Sequence, residues 1–265
     1  MLNRLSRVVP ASILACLLIL IAGKTAFAQD PNGAETLAAD PAVALTFIWL
    51  LVSAALVFFM QAGFLLIEAG FARAKNTVNI VTKNIVDFII AALAFWAFGY
   101  AFMYGEGGIA NSFIGLTGFG LFNDGYDVSN MLAWVFQLVF AATVATIVSG
   151  AMAERTKITS YMAYSFLVTA LLYPIYGKWV WGGGWLAGLG AHDFAGSGVV
   201  HALGGGVALA GAMLVGPRLG KYGPDGKART MPAHNMVYVA IGTLILMFGW
   251  IGFNGGSTLN GSDLR

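Results

Sequence analysis

Six stretches of about twenty mostly apolar residues recur along this 265-residue chain, and each is long enough to cross the roughly 30 Å hydrocarbon core of a bilayer as a helix. They run Leu45 to Ile67, Ile85 to Tyr104, Met131 to Ala153, Ile158 to Val180, Ala195 to Val215 and Met236 to Phe253. Lipid offers no water to an exposed backbone, so segments of this kind are confined to structures that satisfy their own N–H and C=O groups. The expected fold class is an all-α polytopic membrane protein with six transmembrane helices. Composition agrees. Charged residues make up 10% of the chain and hydrophobic ones 58%, whereas a soluble domain carries about 25% charged residues. The 35 glycines suit helices that approach closely in lipid, and a net charge of +2 argues against a nucleic-acid partner. Pro174 near the end of the fourth stretch is tolerated in a membrane helix when neighbours satisfy the freed carbonyl.

The N-terminus has the three parts of a secretory leader: basic Arg4 and Arg7, a short apolar run from Val8 to Ala22, and small residues Ala26 and Ala28 around Phe27 before Gln29. Residues 1–28 are therefore expected to be a cleavable signal peptide, 29–44 an outer segment and 45–265 the transmembrane domain. The single cysteine, Cys16, lies in the leader, which leaves a mature chain without disulfide or thiol chemistry. Charge alternates between connections. Residues 29–44 carry Asp30, Glu35 and Asp40 without a base, and the loop after the second span has Glu106, Asp124 and Asp127. The intervening connections carry Arg73, Lys75 and Lys83, then Arg155 and Lys157, then Arg218, Lys221, Lys227 and Arg229; Lys178 stands alone. The positive-inside rule puts these basic loops in the cytoplasm and the mature N-terminus outside, the orientation that a secretory leader also demands. A bacterial inner-membrane location follows from the two together.

An ionisable group in a membrane span is costly and by default marks a pathway. Asp193 and His201 sit at the head of the fifth stretch, and a four-residue spacing puts Asp193, Ser197 and His201 in one row of a helix. Asp193 reads either as a group that binds or shapes a cation site or as an N-cap accepting from amides near Ala195 and Gly196. His201 reads as a path-lining imidazole, able to donate and accept a hydrogen bond without a fixed charge, or as a core histidine bonded to a carbonyl. Phe136, Phe140 and Thr143 share a face of the third span, and Trp250, Phe253 and Ser257 one of the sixth. Such aromatic stripes are ordinarily core packing, but aromatic faces attract cations and a hydroxyl accepts their N–H groups. Trp179, Trp181 and Trp185, interleaved with glycines, are interfacial anchors or an aromatic mouth. Glu68 and Glu154, beside Arg73 and Arg155, read as paired helix-end charges, and His192 and His234 have no assigned role. No P-loop, HExxH or GxSxG occurs, so neither an enzyme nor a cofactor is indicated.

Four segments in order resemble the ammonium transporter family (Amt/Mep/Rh): Gln61 to Asn76, Gly150 to Arg155, Asp193 to His201, and Gly249 to Ser257. The resemblance covers essentially the whole mature chain. It implies uptake of ammonium or ammonia through a homotrimer with one path per subunit, each complete subunit having eleven spans in two inverted five-helix halves. Trp181, Phe140 and Ser257 match the outer recruitment site, with Phe136 nearby. Phe140 and Phe253 match a stacked phenyl gate, Asp193 the family's essential buried aspartate, and His201 the first of two pore histidines. The second pore histidine and the tail on which PII-type regulators act belong to the family's later part, beyond Arg265. The chain then reads as the first half plus one helix, and residues 29–265 alone are expected to pass no ammonium-driven current. An ammonium sensor with a C-terminal signalling module is the alternative.

Overall fold

The computed structural model describes residues 30–107, 110–122 and 126–263. Six helices long and apolar enough to cross a membrane follow one another: α1 (Val43–Phe71), α2 (Ala74–Tyr104), α3 (Val128–Met152), α4 (Ile158–Gly188), α5 (Ser197–Val215) and α6 (Met236–Gly256). A short helix, Ala34–Ala39, precedes them. Among the described residues there is no strand, only an isolated bridge between Tyr222 and Ala228, and the expected all-α, six-span architecture holds. The expected leader, residues 1–28, lies outside the described residues. Most helix ends fall within a few residues of the hydropathy limits. The clear exceptions are the end of α4, where a further turn of helix, Trp185–Gly188, follows Val180, and the start of α2, which takes in Lys83 rather than leaving it in a loop. Lys83 is 5% exposed, and its Nζ lies 2.9 Å from Glu68 Oε2, 2.6 Å from Ser149 Oγ and 3.0 Å from the Ser149 carbonyl. An ammonium with all three N–H groups engaged, one by a carboxylate, can be held where an unpaired one cannot.

The apolar content is used unevenly. About 72% of the α3 window is buried, against at most 39% in any other span, so α3 is the central helix. α6 lies against α1 with backbone close to backbone. A Cβ on Gly242 would sit 2.6 Å from the Gly63 carbonyl oxygen, and one on Gly252 would sit 2.7 Å from the Ser53 oxygen. Without a hydrophobic force between helices in lipid, this close van der Waals approach is what small residues provide. α2 and α4 each open into a π-helical segment, Phe95–Gly99 and Val168–Leu172. The α4 segment precedes Pro174, which has no N–H to give the preceding turn. The two segments meet at Gly99, where a Cβ would fall 2.7 Å from the Thr169 oxygen and 3.0 Å from Pro174 Cγ.

At one end of the bundle the basic loops are tied together. Glu154 is buried at its side chain and accepts from Arg73 Nε at 2.9 Å, Arg218 Nη1 at 2.6 Å and Asn76 Nδ2 at 2.5 Å. Arg155, its sequence neighbour, turns instead to the carbonyls of Gly216 and Ala151, and Glu68 pairs with Lys83 rather than Arg73. Both glutamates are thus paired, as expected, but with partners from other loops and helices. Burial works to raise the Glu154 pKa. The bonds from Arg73, Arg218 and Asn76 outweigh it and hold the carboxyl at about 2, below its ordinary 4.5. A folded-state pKa below the unfolded one contributes stability above the unfolded value, lost as pH falls through the folded one. Wild-type thermal stability should therefore fall as pH drops from 4.5 toward 2. Glu154→Gln, already less stable at neutral pH, should fall less over that interval. Parallel melting curves for the two proteins would contradict this contribution.

Candidate functional site

Sequence-selected residues of α3, α4, α5 and α6 and of the loop before α5 converge at one end of the bundle. The loop before α5 carries Asp193, whose carboxylate gathers four consecutive backbone donors. Oδ1 accepts from Gly196 N at 2.8 Å and Ser197 N at 3.0 Å. Oδ2 accepts from Gly198 N at 2.8 Å and Val199 N at 2.8 Å. These are the orphan amides of a helix start, where an anion is also favoured by the helix dipole. Four donors fill the four lone-pair positions of a carboxylate, so Asp193 takes the cap geometry and faces any cation through its charge rather than through a free oxygen. Gly196, at φ +102°, makes the turn that lets this happen. A Cβ there would also fall 2.7 Å from Val200 Cγ2.

The expected single row of Asp193, Ser197 and His201 does not form. Asp193 precedes the helix, and Ser197–Ala202 is π-helical, with His201 N bonded to the Gly196 carbonyl at 2.9 Å. The wider turn changes the angular spacing, so the four-residue rule fails there. His201 lies about one turn inside α5. The His201 ring lies 5.5 Å from that of Phe253, tilted by 35°.

Phe253 in turn stacks on Phe140, with centroids 4.2 Å apart and planes 27° apart. Both rings are essentially fully buried. At that separation the rings touch, and nothing passes between them without moving one. Phe136 packs behind, 4.9 Å from Phe140, and a Cβ on Gly256 would lie 2.8 Å from its Cε2. On the side away from His201, Trp181 meets Phe140 edge-on at 6.2 Å. Its indole N–H donates to the Asp193 carbonyl at 2.6 Å, leaving the aromatic face for other contacts. The Ser257 hydroxyl, one turn beyond Phe253 on α6, donates to the Phe253 carbonyl at 2.7 Å. With its proton committed there, only its lone pairs remain, so towards a ligand Ser257 acts as an acceptor of N–H.

Other aromatic and polar candidates separate from this group. Trp250 is 38% exposed and points away from the Phe253 side. Trp179 and Trp185 pair with each other at 5.7 Å, and Trp179 bonds to the Phe113 carbonyl, so of the three clustered tryptophans only Trp181 reaches the phenyl rings. Thr143 donates to the Val139 carbonyl at 2.8 Å and belongs to a buried polar layer that sequence reasoning missed. That layer includes Lys83, Asp87, Thr146, Ser149 and Ser165, with the half-buried Gln61 beside it. Its signal was present: Asp87 is an ionisable residue inside an apolar run. A cavity of 420 Å³ opens at the end that carries the Glu154 clamp, lined by Glu68, Phe71, Gly150, Glu154 and Arg218 among others, well away from the ring stack.

Asp193→Ala leaves four amides without their acceptor and should cost about 2 kcal/mol of stability. Asp193→Asn, which keeps one acceptor oxygen, should lose less. Thermal unfolding of the detergent-solubilised intact protein reads both, and an unchanged midpoint for the alanine variant would contradict the anchoring role.

Comparison with known proteins fits this arrangement. Residues 48–265 match the Ammonium Transporter Family. The chain is 55% identical over 263 residues to ammonium transporter Amt2 of Archaeoglobus fulgidus, covering 95% of this chain and 55% of that protein. It is 45% identical over 224 residues to a putative ammonium transporter of Synechocystis sp., covering 83% and 50%. Among solved structures it is similar to one described as a sensor Amt protein, with a TM-score of 0.77 and 39% identity over 83% of this chain and 56% of that one. It is also similar to Candida albicans Mep2, with a TM-score of 0.72 and 30% identity over 83% and 49%. The chain spans about half the length of the relatives it matches.

Proposed function

The chain belongs to the ammonium transporter family, and from that premise we propose that it forms part of a path for ammonium nitrogen across the membrane. The observation that carries the proposal is the unbroken series Trp181, Phe140, Phe253, His201, each ring within 6.2 Å of the next, with an acceptor-only hydroxyl at its outer end. Trp181 and Phe140 offer aromatic faces to NH4+. Ser257 accepts one of its N–H groups, and the Asp193 carboxylate adds negative potential. Carrying the full charge through an apolar constriction is costly, so the cation gives its proton to solvent water at the mouth, before the stacked Phe140 and Phe253. Neutral NH3 then passes the rings and is guided by hydrogen bonds to His201. K+ neither donates a hydrogen bond nor releases a proton and is turned away at this step. The names of the relatives support the substrate: the Archaeoglobus and Synechocystis proteins are called ammonium transporters.

The same proposal covers the setting. The mature N-terminus lies outside a bacterial inner membrane. Residues 1–28 are a cleaved leader, 29–44 an outer segment and 45–265 the membrane domain. The basic loops face the cytoplasm, a reading supported by the Glu154 clamp that unites Arg73 and Arg218 at one end. The working unit is a homotrimer, with PII-type regulators acting on parts of the protein beyond residue 265. A second reading, ammonium sensing rather than conduction, is favoured by the likeness to a structure described as a sensor Amt protein.

The test is ammonium uptake by the intact protein in proteoliposomes. Wild type should take up ammonium and exclude K+, and His201→Ala should lower uptake or admit K+. Unchanged uptake and selectivity in His201→Ala would remove His201 from the path. Ammonium binding without any uptake would move the conclusion to the sensor.

A further inference from the structure

Asp87 is the most deeply buried carboxyl in the membrane-spanning part of the chain, with no exposed surface, and its surroundings hold no free positive charge. Lys83, four residues earlier on α2, has the usual spacing for a helical ion pair. Its three N–H groups go instead to Glu68, the Ser149 hydroxyl and the Ser149 carbonyl. Among the described residues Asp87 takes part in no ion pair. Two hydroxyls bond to it, Ser165 Oγ at 2.5 Å from Oδ1 and Thr146 Oγ1 at 3.0 Å from Oδ2. With Glu68 and Lys83 already neutralising each other, a second carboxylate would leave this layer with an uncompensated charge in a low-dielectric interior, a costly state that proton uptake removes.

Counting protons leads to the same state. Thr143 lies 2.8 Å from the Val139 carbonyl and 3.4 Å from the Gln61 amide. Its one proton therefore goes to Val139, and Gln61 must present its NH2 to Thr143. This orients the Gln61 carbonyl towards Thr146, whose hydroxyl is 2.9 Å away. Thr146 then stands between two acceptors, Gln61 Oε1 and Asp87 Oδ2, with a single proton to give. If Asp87 is ionised, one of those acceptors is left without a donor. If Asp87 carries a proton on Oδ2, every bond is made in one direction: Asp87 to Thr146, Thr146 to Gln61, Gln61 to Thr143, and Thr143 to the backbone.

We propose that Asp87 is held as a neutral acid and acts as a positioning residue, the donor at the head of a one-way hydrogen-bond chain that fixes Gln61 of α1 against Thr143 of α3. Thr143 is one turn from Phe140 on that helix, so the chain sets the wall next to the stacked rings. The protonation state stands on the hydrogen-bond geometry alone; the effect on transport rests on the function proposed above.

The two parts are read separately in the intact protein. Infrared difference spectra between wild type and Asp87→Asn should show a protonated-carboxyl C=O band in wild type at neutral pH that the variant lacks. Asparagine reproduces the neutral acid, donating to Thr146 and accepting from Ser165. Asp87→Asn should therefore keep both its thermal midpoint and its ammonium uptake within about twofold of wild type. Asp87→Leu, which strands Thr146 and Ser165, should lower both. Absence of the carboxyl band would overturn the proposal. So would an Asp87→Asn protein that melts normally but loses uptake about tenfold, since that result requires the charge. A wild type that takes up no ammonium would count against the transport function, while the infrared band would still decide the state of Asp87.

Discussion

The end of the bundle that carries the ring series depends on one carboxylate. Asp193 takes the four amides from Gly196 to Val199 and so starts α5 at a defined point and angle. The same residue's backbone carbonyl receives the Trp181 indole, which fixes the tryptophan against Phe140. Phe140 stacks on Phe253, and Phe253 faces His201, which α5 carries back to the Asp193 cap. The contacts close a ring. Removing the carboxylate loosens the helix that holds the imidazole and the loop that holds the indole together. An aspartate fully occupied by amides thus serves its site by geometry and by potential, without lending an oxygen to a ligand.

The second constraint is the handling of charge inside an apolar protein. Lys83 is engaged by Glu68 and Ser149. Lys178 of α4 is capped by the Gly105 carbonyl and Asn111, and Glu154 is clamped by two arginines. Buried ionic groups of this kind add little net stability, but breaking one partner away is strongly destabilising. They consequently specify which helices meet. Glu68 to Lys83 to Ser149 ties α1, α2 and α3 into one unit, and Glu154 joins its own loop to those of Arg73 and Arg218. The close glycine contacts of α1 with α6 then bring Phe253 to the central helix at the height of Phe140.

The spans were legible because hydropathy summed over some twenty residues is insensitive to any single contact. The start of α2 was not, because Lys83 is admitted to the helix only by partners on α1 and α3, which no local pattern reveals. The Asp193 cap could be read from an acidic residue ahead of an apolar run. The π-helical opening of α5 and the left-handed Gly196 could not, and they break the four-residue row through His201. Phe140 and Phe253 were selected by spacing and by family resemblance, while their stacking is set by how α6 packs on α1 and α3. Trp250 shared the spacing of Phe253 and Ser257 and still faces outward, since a three-residue step moves a side chain about 60° around the helix. Asp87 was overlooked although its place inside an apolar run was visible.

Amide hydrogen exchange across residues 194–200 tests the central role of Asp193 most directly. If the carboxylate holds the Gly196, Ser197, Gly198 and Val199 amides as the distances indicate, all four should exchange far more slowly than the exposed loop around Gly226, and Asp193→Asn should release part of that protection. Exchange of these amides in wild type at the rate of an open loop would contradict the account.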